Sequence, residues 1–413
     1  MAKKPASEGA SQTQPAPEVS APTSSVPASP PPASLPDLSP FLEPEVSGFL
    51  RELEGLLSEC RVAMLIGAGC SKCAGLPLMD ELTSIVQKSL AVPSRDVLAA
   101  VITGFNGAPR CTIEDYMSEI VDHVAIAERR KLRDPSSSGV TIDGKVFTSE
   151  TLGSALDDVK REIAKAIVNP SDNRTIAVHR AFIRTLQGTF RAGRSSTFKH
   201  PIDYFTLNYD TLIEDALSLE RIPTVDGFQG GATGWWDVDQ YRDTSAEARV
   251  YKLHGSIDWC LCDDDVLPRR IRDGVAVPSR RNHLLIWPAA TKYRETQRDP
   301  YAQLVSMMRK SLRPEDTEIV LCICGYAFAD EHINFELDRA LRESNGRLTF
   351  VVFTSDNEPR GQLQRWNDDP QLAERVRIHA NRGFFHSGTG YTSPVDLPWW
   401  RFEVLTHLLA GHR

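Results

Sequence analysis

Four short segments bring together residue types that hold phosphates and sugars and move protons. Gly67-Ala68-Gly69-Cys70-Ser71 follows a continuous apolar run from Val62 to Ile66. Its small residues let the backbone turn tightly, and Ser71 is placed to start a helix whose free N–H groups and dipole attract an anion. The segment Thr206-Leu207-Asn208-Tyr209-Asp210 delivers an amide and a carboxylate to a strand end. Asn208 offers both a donor and an acceptor to a water or a sugar hydroxyl. Asp210 either faces a ligand or caps the following helix, and the two roles are compatible. In Tyr251-Lys252-Leu253-His254-Gly255-Ser256 an imidazole ends a strand, where it can work as a general base near neutral pH. Gly325-Tyr326 opens a further strand–glycine–helix junction, with His332 and Asn334 in the helix beyond.

Familiar nucleotide fingerprints do not describe the first loop. A GxGxxG motif needs glycine where Lys72 stands, and a P-loop needs Lys and Ser or Thr after Gly75, where Leu76 and Pro77 follow. Eight cysteines include one CxxC, Cys70 and Cys73, without the second pair a zinc site needs. Cys322 and Cys324 fall on one face of a strand and read as core thiols. No metal site is expected.

The elements that must position these residues are legible from periodicity. Apolar spacing over Glu45 to Glu59 predicts an amphipathic helix leading into the Val62 strand. From Leu78 to about Phe198 the pattern is helical without a convincing strand, which predicts a large helical insertion, residues 78–200. Strand runs resume at Asp203 to Thr206, Val250 to Leu253, Leu284 to Ile286, Glu318 to Cys324 and Leu348 to Phe353, several separated by helices. Alternation of this kind predicts an α/β fold, a doubly wound Rossmann-like parallel sheet carrying the insertion.

Bulk properties narrow the function classes. The 413 residues, 41% hydrophobic and 25% charged, bury a large core, while a net charge of -8 opposes direct grip on nucleic acid. Arg269, Arg270 and Arg272 read as a solvated face. The first 45 residues are rich in Pro, Ala and Ser and read as a disordered tail, leaving 46–413 as the folded domain. No apolar span suits a membrane or a leader peptide, so a cytoplasmic protein is expected. Trp399 and Trp400 read as structural anchors or an oligomer contact.

Taken in order, the motifs resemble the sirtuin-like (silent information regulator) family. GAGCSKCAGLP is similar to that family's GAGxSxxxGxP loop, TLNYD to its T-x-N-x-D segment, KLHGS to its His-Gly, and CGYAF to its later glycine loop. The resemblance spans about Val62 to Phe353. It implies a Rossmann-like domain that binds NAD and breaks its nicotinamide–ribose bond. On that basis Gly67, Ala68, Gly69, Ser71 and Thr206 line the dinucleotide. Asn208 and Asp210 face the nicotinamide ribose, and His254 is the base. Gly325 and Tyr326 support phosphate or ribose, and Thr354 and Ser355 approach the adenosine end.

Two departures separate the chain from the family's protein deacylases. Those carry Asp-Phe-Arg after the GxP, where Leu78, Met79 and Asp80 stand here, and a four-cysteine zinc module, where only Cys260 and Cys262 are available. The resemblance therefore implies no zinc, no acyl-lysine groove and water as the nucleophile, hence an NAD hydrolase releasing ADP-ribose and nicotinamide. Reduced bacterial members with a helical insertion resemble NAD-depleting effectors of anti-phage defence, some of which assemble with a HerA-type ATPase. A homo-oligomer and such a partner are the expectation, without direct nucleic-acid or membrane binding. An NAD-dependent deacylase and a non-catalytic NAD or ADP-ribose sensor are the alternatives.

Overall fold

A computed structural model of the protein describes residues 37–105, 111–137, 139–168, 175–191, 200–231, 233–262, 267–271, 283–286 and 299–412. The expected tail therefore lies outside the description up to residue 36. Residues 37–45, assigned to that tail by composition, instead have structure. A 3-10 turn at Ser39–Leu42 buries Phe41, whose ring centroid lies 5.8 Å from that of Trp399. One large aromatic with a partner outweighs its polar, proline-rich surroundings.

Helix α1 (Pro44–Glu59) buries Val46, Leu50, Leu53 and Leu57 along one stripe and feeds β1 (Arg61–Ile66). The chain then leaves the sheet for α2 (Met79–Ser89), α3 (Ser94–Gly104) and α4 (Ile113–Arg133). A hairpin of β2 (Val140–Ile142) and β3 (Lys145–Phe147) follows, then α5 (Ser149–Val168) and α6 (Ala177–Arg184). Helices α2 to α5 and the hairpin share a core of their own that includes Val86, Val97, Met117, Ile120, Leu152 and Val159. The hairpin departs from the all-helical expectation. Asp143 and Gly144 both take positive φ at its tip, as a tight two-residue connection demands, and three-residue strands are too short for periodicity to reveal.

Fully buried β4 (Ile202–Thr206) returns to the sheet. After α7 (Leu212–Leu219) come β5 (Thr224–Val225), β6 (Phe228–Gln229), β7 (Trp235–Trp236), β8 (Ala248–Lys252), β9 (Gly255–Leu261), β10 (Arg269–Arg270) and β11 (His283–Ile286). The remainder alternates through α8 (Tyr301–Ser311), β12 (Ile319–Cys324), α9 (Glu331–Glu343), β13 (Leu348–Phe353) and α10 (Gln362–Asp368). It ends with β14 (Val376–Ala380), β15 (Gly383–His386), β16 (Thr389–Thr392) and α11 (Phe402–Leu409).

Among the described residues the main sheet has nine strands, in the order β16-β15-β14-β13-β12-β1-β4-β8-β5. From β14 to β5 all neighbours pair parallel, and β15 and β16 complete one edge antiparallel. This is the Rossmann-like α/β sheet that alternation predicted. Met64 and Ile66 of β1 pack with α1, α6 and α11, while Ala63 and Leu65 pack with α8, α9 and α10. A strand covered on both faces has to be apolar throughout. Because β1 lies between β12 and β4, strand order reverses there. Ligands of open α/β sheets bind beside the carboxyl ends at such a switch point.

A second, antiparallel sheet runs in the order β11-β9-β10-β7-β6; the run Leu284 to Ile286, expected in the parallel sheet, is β11 and pairs antiparallel with β9 instead, and three of the other strands have only two residues each, too few for a period to show. It also corrects the reading of Arg270. That guanidinium pairs with Asp226 and sits 4.8 Å over the Phe228 ring, so it is a half-buried structural cation rather than part of a solvated face. Arg272 lies outside the described residues. No helix among the described residues is long and apolar enough to cross a membrane.

Candidate active site

The first and last motifs meet backbone to backbone. Gly67 N–H donates to the Cys324 carbonyl at 2.9 Å and Gly69 N–H to the Gly325 carbonyl at 3.0 Å. A Cβ on Gly67 would stand 2.4 Å from the Gly325 oxygen, one on Gly69 2.8 Å from the Gly325 Cα, and one on Gly325 2.5 Å from the Cys70 nitrogen. Gly325 also has φ +65°. These glycines serve first as a joint between the β1 and β12 loops, with the two N–H groups committed to it. The N–H groups of Gly67 and Gly69 are thus already bonded, while Ala68 between them is exposed.

Ser71 does not begin a helix. It lies inside a 3-10 turn, Ala68–Ala74, and its hydroxyl joins the first motif to the second. Ser71 Oγ donates to Asp210 Oδ2 at 2.7 Å and accepts from Asn208 Nδ2 at 2.9 Å. The other Asn208 amide proton goes to the Gly67 carbonyl at 3.1 Å, and Thr206 Oγ1 accepts from the Asn208 N–H at 3.1 Å. The Asn208 amide is thus fixed by its nitrogen. Its buried Oδ1 has no partner among the described residues, a group that calls for a donor from a ligand or a water.

Asp210 combines both of its candidate roles. Its Oδ1 accepts from Leu212 N–H at 3.0 Å at the start of α7 while Oδ2 holds Ser71. Beneath it, Lys252 donates to the Asp210 carbonyl and lies 3.1 Å from Glu214. Burial pushes the Glu214 carboxyl up to about 7, against the opposing pull of Lys252. The sequence offered no sign that Lys252 is buried, because its KLHGS motif directs attention to His254.

His254 occupies the turn between β8 and β9 and is buried. Gly255, at φ +86°, reverses the chain behind it. Leu253 N–H donates to the Thr206 carbonyl and Ile257 N–H to the Tyr209 carbonyl, each near 3.0 Å, so this turn is stitched to the loop carrying Asn208. The far side of the imidazole meets α9: the His254 and His332 ring centroids are 5.7 Å apart. Asp330, the N-cap position of α9, completes a group of three side chains with donor atoms all within 4.8 Å. Asp330 and His332 were seen in the sequence only as part of a turn and helix; their two-residue spacing after a glycine loop was the signal available.

Tyr209 donates its hydroxyl to Glu114 of α4, which ties the loop carrying Asn208 to the insertion. Tyr326 is buried, with its hydroxyl spent on the Asp330 carbonyl at 3.1 Å and Asn334 Oδ1 at 3.0 Å. It shapes the turn before α9 rather than offering that hydroxyl to a ligand. Thr354 and Ser355 follow β13, two strands from β1. The Thr354 N–H is held by the His379 carbonyl at 3.0 Å, and Ser355 is exposed. They are not joined to the Asn208 cluster by any hydrogen bond among the described residues.

Cys70 and Cys73 are free thiols. Burial pushes Cys73 up to about 12 and Cys70 well above the ordinary thiol value, which leaves neither a reactive thiolate near neutral pH. Cys260 of β9 and Cys262, just beyond its end, have sulfurs 3.9 Å apart.

Of the comparisons with known proteins, one covers part of this site. Residues 203–374 match the model of a SIR2-like domain, a span that holds Asn208, Asp210, His254 and Gly325 but begins after the first glycine loop. No curated protein matches. Among solved structures, a mutant Sir2 homologue in complex with ADP ribose is 12% identical, with 88% of this chain and 96% of that chain covered and a TM-score of 0.37.

Proposed function

We propose that the protein hydrolyses NAD at the nicotinamide–ribose bond, giving ADP-ribose and nicotinamide. The observation that carries this reading is Asn208. Its nitrogen is saturated by Gly67 and Ser71, which leaves a buried oxygen acceptor at the carboxyl end of β4, in the loop stitched to the turn that carries buried His254. The SIR2-like match over residues 203–374 supports the same assignment. In this mechanism the Asn208 oxygen orients a ribose hydroxyl or the attacking water. As the bond to nicotinamide breaks, positive charge develops on the ribose and the Asp210 carboxylate lies on the same network. Water adds to the anomeric carbon, nicotinamide leaves with the bonding pair, and His254 takes the water's proton. Ala68, Thr206, Gly325, Tyr326, Thr354 and Ser355 are the proposed dinucleotide contacts or their supports.

Nicotinamide release from purified protein is the direct test, with His254→Ala and Asn208→Ala each expected to reduce it about a hundredfold or more. NAD left intact by the protein, alone and with its partner, defeats the reading, and tight NAD binding without cleavage makes the chain a sensor. Depletion of NAD in anti-phage defence, a homo-oligomer and a HerA-type ATPase partner are the wider proposal. Native mass measurement with and without the ATPase tests the assembly.

A further inference from the structure

We propose that His254, Asp330 and His332 bind a divalent first-row transition ion, zinc foremost, and that this ion switches the site off by occupying the base. The binding half stands on geometry alone; the switching half rests on the NAD reading above. Two imidazoles and one carboxylate bring their donor atoms within 4.8 Å of one another. Ligands on one tetrahedral zinc lie about 3.3 Å apart, given zinc–nitrogen bonds near 2.0 Å, so small side-chain rotations close the group around an ion. The donor set of two histidines and a carboxylate, with positions left for water, suits zinc and its neighbours, whereas magnesium and calcium favour all-oxygen shells.

The supports are rigid and come from two separate elements. His254 is fixed by the stitching of the β8–β9 turn to the Thr206 and Tyr209 carbonyls. Asp330 and His332 sit at the start of α9, where Tyr326, Asn334 and Phe328 lock the preceding turn through bonds of 2.8–3.1 Å. His254 is buried while Asp330 and His332 are half-buried, so the ion reaches the group from the α9 side. An imidazole nitrogen that gives its lone pair to a metal cannot accept a proton from water. Metal binding and general-base action at that nitrogen are therefore mutually exclusive, and with the nitrogen facing Asp330 and His332 as the base, the ion inhibits the proposed reaction.

The experiment is titration of metal-free full-length protein with cobalt(II), read by its visible absorption, and with zinc, read by metal content after gel filtration. One ion per chain is expected at micromolar concentration, with affinity lowered at least tenfold in Asp330→Ala and in His332→Ala. His332→Gln, closer in bulk, should show the same loss with an unchanged circular dichroism spectrum. Zinc should also stop nicotinamide release reversibly, a chelator restoring it, and His332→Ala should raise the half-inhibiting zinc concentration at least tenfold relative to its own zinc-free rate. No binding, or binding untouched by these substitutions because the cysteines hold the ion, overturns the site. Binding through these three residues in a protein that never cleaves NAD keeps the metal site and removes the NAD reading. Cleavage that zinc bound at this site does not slow overturns the switch.

Discussion

Asn208 is gripped through its nitrogen so that its oxygen stays available, and Ser71 is the residue that makes this geometry rigid. Ser71→Ala removes an acceptor for Asn208 and a donor to Asp210 together. Nicotinamide release should fall about tenfold or more, equivalent to ~1.4 kcal/mol in the barrier, with roughly 0.5–1.5 kcal/mol lost in urea unfolding. Wild-type turnover in that variant would remove Ser71 from the positioning network. Gly325 is a backbone requirement rather than a chemical one. Gly325→Ala places a Cβ against Cys70 in a left-handed conformation and should cost on the order of 1–3 kcal/mol. A melting temperature equal to wild type contradicts this account of the joint.

Elements transmit these local needs. The insertion touches the site loop through Tyr209 and Glu114, and Tyr209 itself belongs to the insertion's core. Tyr209→Phe keeps the ring and breaks the bond to a carboxylate, at a cost of about 1.5–3 kcal/mol. Hydrogen exchange at the start of α4 should quicken in the variant, and unchanged protection there would mean that the bond does not anchor the helix. Strand β14 carries a different liability. His379 is buried among Phe353, Phe384 and Trp399, with ring centroids 4.6–5.0 Å away, and burial holds its imidazole down to about 3. A depressed histidine favours the neutral form in the fold, so its contribution is present above the ordinary value near 6.5 and is lost as pH falls toward about 3. At roughly 1.4 kcal/mol per pH unit once below the ordinary value, and half that at it, His379→Leu should gain about 2 kcal/mol on wild type between about pH 6.5 and about pH 4.5. Parallel stability curves for the two proteins across that range would refute the assignment.

At the scale of the whole molecule, three apolar cores among the described residues divide the work. Two cover the faces of the main sheet and the third belongs to the insertion, and Leu212 and Tyr209 of the third lie in or beside the Asn208 motif. The site is therefore framed by the sheet's switch point on one side and the insertion on the other. The segment ahead of α1 belongs to the first core through Phe41, which has no exposed surface. Phe41→Ala should lower the unfolding free energy by about 3–5 kcal/mol. A denaturation midpoint close to wild type would show that residues 37–43 contribute little to the fold.

The sequence determined the parts of this protein that depend on local pattern. Apolar runs at Val62, Asp203 to Thr206, Glu318 to Cys324 and Leu348 marked buried parallel strands. Their alternation with helices such as α7, α8 and α9 specified an α/β sheet, and glycine, asparagine and histidine at strand ends marked the candidate site. What depended on distant partners was hidden. Strands of two residues, as in β6, β7 and β10, leave no period to read, and they exist only because a second sheet pairs them. Phe41 looked like tail until Trp399 supplied its contact. Gly67 and Gly69 read as part of an anion-binding loop until the carbonyls of Cys324 and Gly325, more than 250 positions later, accepted from their N–H groups. Asp330 and His332 joined His254 for the same reason: side-chain proximity across a switch point is set by packing between strands and helices far apart in the chain, which only the tertiary structure decides.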